Sequence, residues 1–292
     1  MLLDIDNRRA WEEITDSLGE TCVLSSVDEY DLAKTLTCGQ FFRYRRTLFT
    51  TCDTYVVQAT DRVCSVSQAS SSSIQICFQR TEDLKFWEDF FNLSQTISQL
   101  NKLGVGHSDW LSKAIKSGYG IRILHQPAWE ALLTFIISQN NSMFRIRNTV
   151  HALCSRLGES ICGGCYSFPS PSVILEADLG FAGLGYRDSY LKSAADAVLN
   201  NYIQLDRLIS GQSTLHAALT ALQSLPGVGP KVASCVALYG LRHMNSFPID
   251  VWMKRALLRS GLEPGDISTF GESAGLLQQY MFYFITQGGG SV

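Results

Sequence analysis

A lysine and an aspartate nineteen residues apart are the strongest sign of chemistry in this sequence. Lys231 directly follows a turn rich in glycine and proline, Leu225-Pro226-Gly227-Val228-Gly229-Pro230, and Asp250 ends the segment Pro248-Ile249-Asp250. A neutral lysine amine is a nucleophile, and a nearby carboxylate stabilises developing positive charge or positions a water. The pair therefore suits attack on an electrophilic carbon that lies next to a bound phosphate.

The turn before Lys231 has the composition of a phosphate-binding loop. We expect Gly227 and Gly229 to permit positive φ and to leave backbone N–H groups within reach of a phosphate oxygen. Pro230 is favoured at the first position of a helix, and the positive end of that helix adds to the attraction. Such a turn grips a nucleic-acid backbone without reading its sequence. An ordinary tight connection between two helices is the alternative.

Lys231 lies in the first turn of this predicted helix, where the helix dipole and partial burial both disfavour the ammonium form. A neutral Lys231 amine could attack a sugar C1′, displace the base and form a Schiff base, and proton abstraction at C2′ would then allow strand scission. Asp250 precedes an apolar helix and is expected to cap it. A capping aspartate at the rim of a pocket can also stabilise an oxocarbenium-like sugar, so the two roles are compatible.

Two kinds of predicted element must position these residues. Residues 20–80 contain short segments rich in β-branched and aromatic residues, with turn formers between them. No crossover helix fits between these segments, so the sheet should be antiparallel, with Ser70–Ser73 as a hairpin loop. The predicted strands are Val23–Ser26, Phe41–Tyr44, Tyr55–Gln58, Val63–Val66 and Ile74–Phe78.

From about Glu82 onward the pattern becomes helical. Ser94 is a suitable N-cap for a helix at Gln95–Leu103, and apolar residues on nearly every side predict a central buried helix at Trp129–Ser138. The fold class is therefore α+β, a small antiparallel sheet domain followed by an all-helical domain. We expect an antiparallel β domain with flanking helices at 1–115, a helical domain at 116–287 and a disordered tail at 288–292. The other predicted helices are Met143–Leu157, Tyr190–Ile203, Thr214–Ser224, Pro230–Leu241, Val251–Ser260 and Ser273–Ile285.

Length and composition bound the class of protein. The 292-residue chain has enough length for two domains, and 46% hydrophobic with 17% charged residues indicates a well-buried globular protein. No apolar run is long enough for a membrane span, and the acidic N-terminus lacks the basic residues of a signal peptide. We therefore expect a monomer without membrane association in a reducing compartment. Nine irregularly spaced cysteines then fit free thiols better than a disulfide framework.

The net charge of −3 speaks against a nucleic-acid partner, but the charges are unevenly distributed. Residues 1–32 carry nine acids and two bases, whereas residues 231–259 carry five bases and one acid. Residues 131–156 add three arginines and no acid. The bases thus collect around the lysine and aspartate motif, although a solvated helix face gives the same count.

The motif resembles that of a known family. Leu225–Lys231 with Asp250 is similar to the helix-hairpin-helix, Gly/Pro-Asp superfamily of DNA glycosylases, and more narrowly to 8-oxoguanine DNA glycosylase/lyases of the Ogg type. The resemblance covers the chain from about Asp31 to Phe282. It implies a helix-hairpin-helix glycosylase domain and a bifunctional reaction of base excision repair, in which Lys231 attacks C1′ with Asp250 assisting. The implied substrate is duplex DNA that contains 8-oxoguanine opposite cytosine.

The resemblance also implies a pocket for the damaged base. Cys38-Gly39-Gln40-Phe41-Phe42-Arg43 is similar to the family's Ser-Gly-Gln-x-Phe-Arg segment, whose glycine carbonyl accepts the N7–H that guanine lacks. Cys235, one helical turn after the lysine, and Phe282 would sandwich the flipped base, and Gln278 would read its Watson–Crick edge. An ordinary turn at Gly39 and plain core positions for Cys235 and Phe282 are the alternatives.

Two further segments, Ile137–Arg145 and Gly183–Arg187, look like the family's double-Asn segment and its Gly-Tyr-Arg loop. The first implies a plug for the gap left by the flipped nucleotide and a contact to the orphan cytosine. The second implies a wedge into the duplex and another cytosine contact. A helix C-cap and solvated arginines are the alternatives. The implied plug is Asn140 beside Asn141, the first cytosine contact is Arg145, the wedge is Tyr186 and the second cytosine contact is Arg187.

Some features depart from the family pattern or stand outside it. Trp252 occupies the place where animal relatives carry a phosphate-contacting histidine, although an indole N–H can still donate.

No cysteine follows Cys235, which argues against the iron–sulfur cluster of other superfamily members. We therefore expect no cofactor, and a cation at the hairpin stays open. Cys162-Gly163-Gly164-Cys165 is interpreted as a loop with two free thiols, with zinc or redox use as alternatives. Fraying of the last helix would loosen Gln278 and Phe282.

Two other functions compete with this interpretation. One is a glycosylase for another damaged or alkylated base, which Lys231 disfavours because the alkylbase enzymes of the superfamily lack the lysine. The other is a non-catalytic DNA-binding module built on the same hairpin. As a repair enzyme the protein is expected in the cytoplasm, on the nucleoid of a bacterium or in the nucleus of a eukaryote.

Overall fold

An antiparallel sheet of five strands forms the first part of the fold in the computed structural model, which describes residues 4–5, 7–18, 22–97 and 108–289. The strands are β1 (Cys22–Ser26), β2 (Tyr44–Thr47), β3 (Thr54–Ala59), β4 (Arg62–Ser70) and β5 (Ser73–Phe78). Their order across the sheet is β1-β5-β4-β3-β2, and each neighbouring pair is antiparallel, as predicted. Ser71 and Ser72 form the tight turn between β4 and β5, which confirms the serine loop.

The predicted strand at Phe41–Tyr44 is displaced, because the chain is still leaving a turn there. Gly39 has a φ of +91°, and the buried Gln40 side chain bonds to nearby backbone where a neighbouring strand would otherwise pair. Pairing with β3 begins only at Tyr44. The aromatic run is visible in the sequence, whereas the side-chain network that replaces the ladder is not.

Helices make up most of the remaining chain. They are α1 (Arg8–Leu18), α2 (Leu32–Thr37), α3 (Leu84–Phe90), α4 (Asp109–Gly118), α5 (Ala128–Ile137), α6 (Met143–Leu157), α7 (Pro171–Glu176), α8 (Arg187–Leu199), α9 (Leu215–Gln223), α10 (Pro230–Tyr239), α11 (Val251–Ser260), α12 (Pro264–Ile267) and α13 (Ala274–Thr286). A small hairpin, β6 (Ser160–Cys162) and β7 (Cys165–Tyr166), interrupts them. The α+β fold class is confirmed, but the second part of the chain is not wholly helical.

The predictions for α5, α6, α9, α10, α11 and α13 agree with the structure to within two residues. The prediction Tyr190–Ile203 is displaced, since α8 ends at Leu199 and Asn201 has a φ of +56°. Gln95–Ile97 are not helical, and the rest of the predicted helix Gln95–Leu103 lies outside the described residues. Helices beside the sheet were expected without bounds, and these are α1, α2 and α4, whereas α7 and α12 were not predicted.

Helix α5 runs through the centre of the helical part, as predicted. Residues 130–137 are all buried, and α8 and α10 pack against the helix. Its first turn also joins the two parts of the chain, because Arg43 Nη1 donates to Glu130 Oε1 at 2.9 Å and both side chains are buried. The first turn of α5 is thereby tied to the segment that leads into β2.

The sheet is covered on both faces. One face packs a core that includes Phe78 and Trp87 against α2 and α3. On the other face, Ile14 and Leu18 of α1 pack against Val56 and Val63. Alternate residues of a strand point to opposite faces, so β3 contributes to both cores.

The expectation of free thiols is wrong at Cys77, which is disulfide-bonded. The register of β1 and β5 places Cys77 opposite Cys22, a pairing of strands that the spacing of cysteines in the sequence does not reveal. The free cysteines are Cys38, Cys52, Cys64, Cys154, Cys162, Cys165 and Cys235.

The predicted domain limits stay predictions. Helix α4 runs through residue 115 and packs against α13. Gly289 O accepts a hydrogen bond from the Trp110 indole at 3.2 Å, and the remainder of the predicted tail, 290–292, lies outside the described residues. Within the residues that the structure describes, no helix is long and apolar enough to cross a membrane.

Candidate functional site

Lys231 projects from the first turn of α10, directly after Pro230, the predicted first residue of that helix. The side chain is half-buried. Its Nζ donates to Ser138 Oγ at 3.3 Å and lies 5.5 Å from the centre of the Phe135 ring. Both contacts come from the C-terminal end of α5. The amine is therefore held between the ends of two helices.

Asp250 is the N-cap of α11, as its sequence position predicts. Its Oδ1 accepts from the Met253 backbone N–H at 2.8 Å. The described contacts of the carboxylate use this one oxygen, so the other can face a charge that develops nearby. The capping role and a role in chemistry are compatible in this geometry.

Two cavities meet at Lys231 and Asp250, which line both. The inner cavity is a pocket of about 50 Å³ and the outer one is an open groove of about 520 Å³. The arrangement suits a ligand with a compact head group in the pocket and an extended chain in the groove. Besides the shared pair, the predicted residues in the pocket wall are Gly39, Cys235, Gln278 and Phe282, and those in the groove are Asn140, Asn141, Gly229 and Trp252.

The wall that Gly39 contributes is a constrained turn. Its φ of +91° belongs to the region that favours glycine. Neighbouring side chains fix the turn from two directions: Gln40 Nε2 donates to Arg122 O at 2.7 Å, and Gln279 Nε2 donates to Cys38 O at 3.1 Å. The protein thus presents a backbone wall of fixed orientation to whatever enters the pocket.

The opposite walls come from α10 and α13. Cys235 is buried one turn after Lys231, and burial raises the pKa of its thiol, while the charge of Lys231 opposes the rise. The thiol is therefore a neutral surface rather than a second nucleophile. Gln278 is buried and accepts a long hydrogen bond from the Tyr239 hydroxyl at 3.5 Å.

Phe282 lies well inside α13. That helix continues to Thr286, whose Oγ1 donates to Phe282 O at 2.8 Å. Farther along, the Phe284 ring packs edge-on against Trp110, with ring centres 5.3 Å apart. The last helix is therefore anchored beyond the pocket, and Gln278 and Phe282 are held in place.

The two glycines of the hairpin turn serve different purposes. Gly227 has a φ of +79°, and a Cβ there would lie 2.2 Å from the Tyr190 ring. Gly229 has a φ of −83°, so the expectation of positive φ is wrong for this residue. A Cβ on Gly229 would meet no atom within 4 Å. Gly227 is required by the fold, whereas the space beside Gly229 is open to the groove.

The double-Asn segment follows the end of α5. Asn140 has a φ of +47° and is exposed, and its Nδ2 lies 3.3 Å from the Tyr186 hydroxyl. Asn141 Nδ2 donates to Ile137 O at 3.3 Å. Asn141 therefore binds the last carbonyl of α5, whose C-cap is Ser138, while Asn140 is directed toward the tyrosine of the other loop.

The arginines of the two loops differ sharply. Arg187 is buried, and its guanidinium donates to the backbone carbonyls of Gln139, Asn140 and Leu184. Arg145 is exposed on the first turn of α6. The structure therefore shows Arg187 as a link between the loops, and a contact of either arginine with a base stays a prediction.

Trp252, which lines the groove, and Tyr186, on the loop that contacts Asn140, are exposed aromatic residues. Tyr186 is 50% exposed, and its ring packs edge-on against Tyr190 with centres 5.7 Å apart. Trp252 is 43% exposed, and the Arg255 guanidinium lies 5.1 Å from its ring centre. Trp252 is thus accessible to a ligand in the groove, and Tyr186 to one that extends past Asn140.

Sequence reasoning missed some residues of the site. Tyr239 carried a usable signal, because it lies one turn after Cys235 on the same face of α10. Ser138 lies directly before the double-Asn segment, but nothing in the sequence pairs it with Lys231. Gln279 resembles its neighbour Gln278, and only the packing of α13 shows which of the two supports the Gly39 turn.

The hairpin between α9 and α10, the lysine that follows it and the capping aspartate define the class of helix-hairpin-helix DNA glycosylases. The family model for the 8-oxoguanine DNA glycosylase N-terminal domain matches residues 22–132. The chain belongs to the 8-oxoguanine DNA glycosylase family. This confirms the family inferred from the sequence.

Relatives and solved structures support this assignment. N-glycosylase/DNA lyase OGG1 of Arabidopsis thaliana is 28% identical over 296 residues, which cover 87% of this chain and 77% of the relative. The N-glycosylase/DNA lyase of Saccharomyces cerevisiae is 36% identical over 161 residues, and the match spans only 42% of that enzyme's length and 49% of this chain.

Among solved structures, MBOgg1 in complex with a low-affinity DNA ligand has a TM-score of 0.82 at 31% identity, covering 92% of this chain and 97% of the other. The Clostridium acetobutylicum 8-oxoguanine glycosylase/lyase, in complex with double-stranded DNA that has cytosine opposite 8-oxoG, has a TM-score of 0.80 at 26% identity, covering 91% and 98%.

Proposed function

We propose that this protein excises 8-oxoguanine, with cytosine as the preferred opposite base, from duplex DNA and then cleaves the strand as a lyase. One observation carries the proposal: Lys231 and Asp250 lie where a small pocket opens into a larger groove that Gly229 and Lys254 also line. A nucleotide turned out of the helix has the same shape, with a compact base on an extended sugar–phosphate chain. Its C1′ is the atom that joins the two parts.

The geometry supports a sequence of steps that uses only groups of this chain. The Lys231 amine attacks C1′, the bond from C1′ to the base breaks, and the base leaves with a proton. The amine loses protons as the sugar ring opens, which gives a Schiff base between Nζ and C1′. Removal of a proton from C2′ then expels the 3′ phosphate by β-elimination. Asp250 stabilises the positive charge that grows on the sugar during the first step.

The pocket supplies the basis for choosing the damaged base. The Gly39 turn presents backbone polar atoms that cannot rotate away, because Gln40 and Gln279 fix it on both sides. 8-Oxoguanine carries an N7–H donor where guanine has a lone pair. A fixed carbonyl acceptor is satisfied by the first base and left unpaired by the second, which costs about 1–3 kcal/mol in a buried site.

The groove supplies the hold on the duplex. The open space beside Gly229 leaves room for a phosphate oxygen at the N-terminal end of α10, and Lys254 lines the same groove. Asn140 and Tyr186, joined at 3.3 Å, are placed to fill the vacated position in the stack. Arg145 is exposed beside them for the orphan base.

The decisive experiment uses duplexes with 8-oxoguanine opposite each of the four bases and an undamaged guanine control. Borohydride reduces a Schiff base to a stable amine, so the wild type should be trapped on DNA while Lys231→Gln binds without cutting or trapping. Lys254→Gln is the matched control, because it removes a charge from the same groove and should lower only salt-sensitive affinity. Equal cleavage of undamaged guanine would refute the substrate assignment.

A non-catalytic DNA-binding module predicts a different outcome. In that case Lys231→Gln and Lys254→Gln would behave alike, each weakening binding with a similar salt dependence, and no trapped product would form. We further propose that the protein acts as a monomer, in the cytoplasm or the nucleus, without a metal or iron–sulfur cofactor. Cleavage that stops in the presence of a chelator would contradict the last point.

A further inference from the structure

The β6–β7 hairpin carries two cysteines and lies outside the walls of the pocket and the groove. Cys162 and Cys165 face each other across the two-residue turn of the β6–β7 hairpin. Gly163 and Gly164 between them have φ values of +44° and +73°. Positive φ at both central positions is the conformation that two-residue hairpins prefer. Neither cysteine lines either cavity of the site.

The backbone places the two sulfur atoms within bonding reach. Residues that face each other across an antiparallel pair have Cα atoms about 4.5–5.5 Å apart, inside the span of about 4.4–6.8 Å that disulfides occupy. Closure of the disulfide therefore needs side-chain rotation and no displacement of the strands.

Neighbouring elements hold the turn in this conformation. A Cβ on Gly163 would lie 2.4 Å from Ile14 Cγ1 of α1, so the turn sits directly on that helix. Arg45 Nη2, from β2, donates to Gly163 O and to Cys165 Sγ, each at 3.0 Å. The Arg45 Nε is buried and has no partner among the described residues. A guanidinium with donor capacity left over is the environment that stabilises a thiolate.

The two thiols differ in access and in acidity. Cys162 is half-exposed, whereas Cys165 is fully buried. The hydrogen bond from Cys165 lowers the pKa of the Cys162 thiol to about 7, with Arg45 also favouring the thiolate and Glu13 of α1 opposing it. The same hydrogen bond, together with burial, raises the pKa of Cys165. A reactive outer thiolate above a protected inner thiol is the arrangement of an attacking and a resolving cysteine.

We propose that Cys162 and Cys165 form a reversible dithiol–disulfide site that exchanges with low-molecular-weight disulfides, with Cys162 attacking and Cys165 resolving. In the first step the Cys162 thiolate attacks one sulfur of oxidised glutathione, whose S–S bond breaks and releases one glutathione thiolate. In the second, Cys165 gives up its proton and attacks the Cys162 sulfur, which releases the second glutathione. Two protein thiols are oxidised, and one disulfide is reduced to two thiols.

The chain offers a clean readout of this reaction. Trypsin cuts after Arg156 and next after Arg187, and the peptide 157–187 contains Cys162 and Cys165 and no other cysteine. The full-length protein is equilibrated with reduced and oxidised glutathione in varied ratio, quenched in acid, alkylated, digested and weighed by mass spectrometry. At oxidising ratios the wild-type peptide should weigh two hydrogens less and carry no alkyl group, and added reductant should restore two alkyl groups.

Variants assign the two roles. Cys165→Ala should keep glutathione on Cys162, because the resolving thiol is gone, while Cys162→Ser should leave Cys165 unmodified. The exposed Cys52, whose sulfur contacts the Thr54 hydroxyl, serves as a reference thiol. Thermal unfolding and DNA cleavage equal to wild type show that the variants are folded. Two alkyl groups on the wild-type peptide at every ratio would overturn the proposal, and an adduct on Cys165 in Cys162→Ser would overturn the assignment of roles.

Discussion

The inner pocket and the outer groove share Lys231 and Asp250, yet they are built in opposite ways. The pocket wall consists of buried groups that bond to one another, as Gln40 and Gln279 do around the Gly39 turn. The groove is lined by exposed side chains such as those of Trp252 and Lys254. The protein thus fixes the shape of the pocket before any ligand arrives, whereas the groove gains its partners from the ligand.

Arg187 is an exception to this difference between a buried pocket wall and an exposed groove. It belongs to the groove by sequence, but it is buried and bonds to three backbone carbonyls. Each carbonyl belongs to one of the two loops that border the groove. Buried hydrogen bonds of Arg187 therefore join the two loops, and the exposed residues on these loops keep a fixed spacing.

Substitution of Asp250, which lines both the pocket and the groove, should have the largest effect on base release. Asp250→Asn and Asp250→Ser keep a side chain that can cap α11, so stability should stay within about 0.5 kcal/mol of wild type. Base release should nevertheless fall about 10²–10⁴-fold, because the charge that stabilises the sugar cation is gone. Single-turnover excision and urea denaturation measure the two quantities separately. A loss of activity that tracks a loss of stability would mean that Asp250 is only a cap.

A pair of glycines tests whether the pocket is the more constrained region. Gly39→Ala and Gly183→Ala both place alanine at positive φ, +91° and +62°, so each should cost about 1 kcal/mol of stability. Only the first adds a methyl group 3.3 Å from Met143 Cε and 3.4 Å from Phe282 Cε1, while the second meets nothing within 4 Å. Gly39→Ala should therefore lower the excision rate by about 10–100-fold. Equal rates in the two variants would show that the pocket adapts.

Arg187 and Arg145 test two different roles, joining the two loops and contacting DNA. Arg187→Ala leaves backbone carbonyls without a donor and should lower stability by about 1–3 kcal/mol. Arg145→Ala removes an exposed side chain and should change stability by less than about 0.5 kcal/mol. Both should weaken binding to duplexes, and thermal denaturation distinguishes them. If Arg187→Ala is as stable as Arg145→Ala, the loops are not joined in the way that the structure shows.

The smallest effect is expected at the exposed indole. Trp252→Ala removes a ring that stacks with Arg255 and borders the groove. Duplex affinity should fall by about 0.5–1.5 kcal/mol, the usual net value of one hydrogen bond such as the indole N–H can donate to phosphate, with cleavage of bound DNA unchanged. Leu258→Ala, on the same helix and 85% exposed, is the control and should bind like wild type. A fall in the single-turnover rate would place Trp252 in the pocket's machinery instead.

Local rules accounted for much of the fold and for the centre of the site. Pro230 at the first position of α10 and Asp250 as the cap of α11 follow from the chemistry of helix ends. Apolar residues on every side were enough to identify α5. These features depend on short stretches of sequence, so one sequence suffices to find them.

Contacts between distant segments were not accessible in the same way. The Gln40 network displaced a predicted strand, and the bond between Gln279 and Cys38 joins residues from the two ends of the chain. Gly229 looked like Gly227 in the sequence but has ordinary backbone geometry and open space instead. The burial of Arg187 had no signal, because an arginine in a polar loop is ordinarily solvated.

The Tyr190 ring fixes the distance between two parts of the site. It fills the space where a Gly227 side chain would stand and packs against the Tyr186 ring. Tyr190 therefore holds the hairpin turn and Tyr186 at a fixed spacing. If the turn binds phosphate and Tyr186 enters the duplex, as proposed, a duplex meets both only where it bends and opens to that spacing. On that proposal, the ease with which a damaged base pair deforms contributes to recognition before any base edge is read.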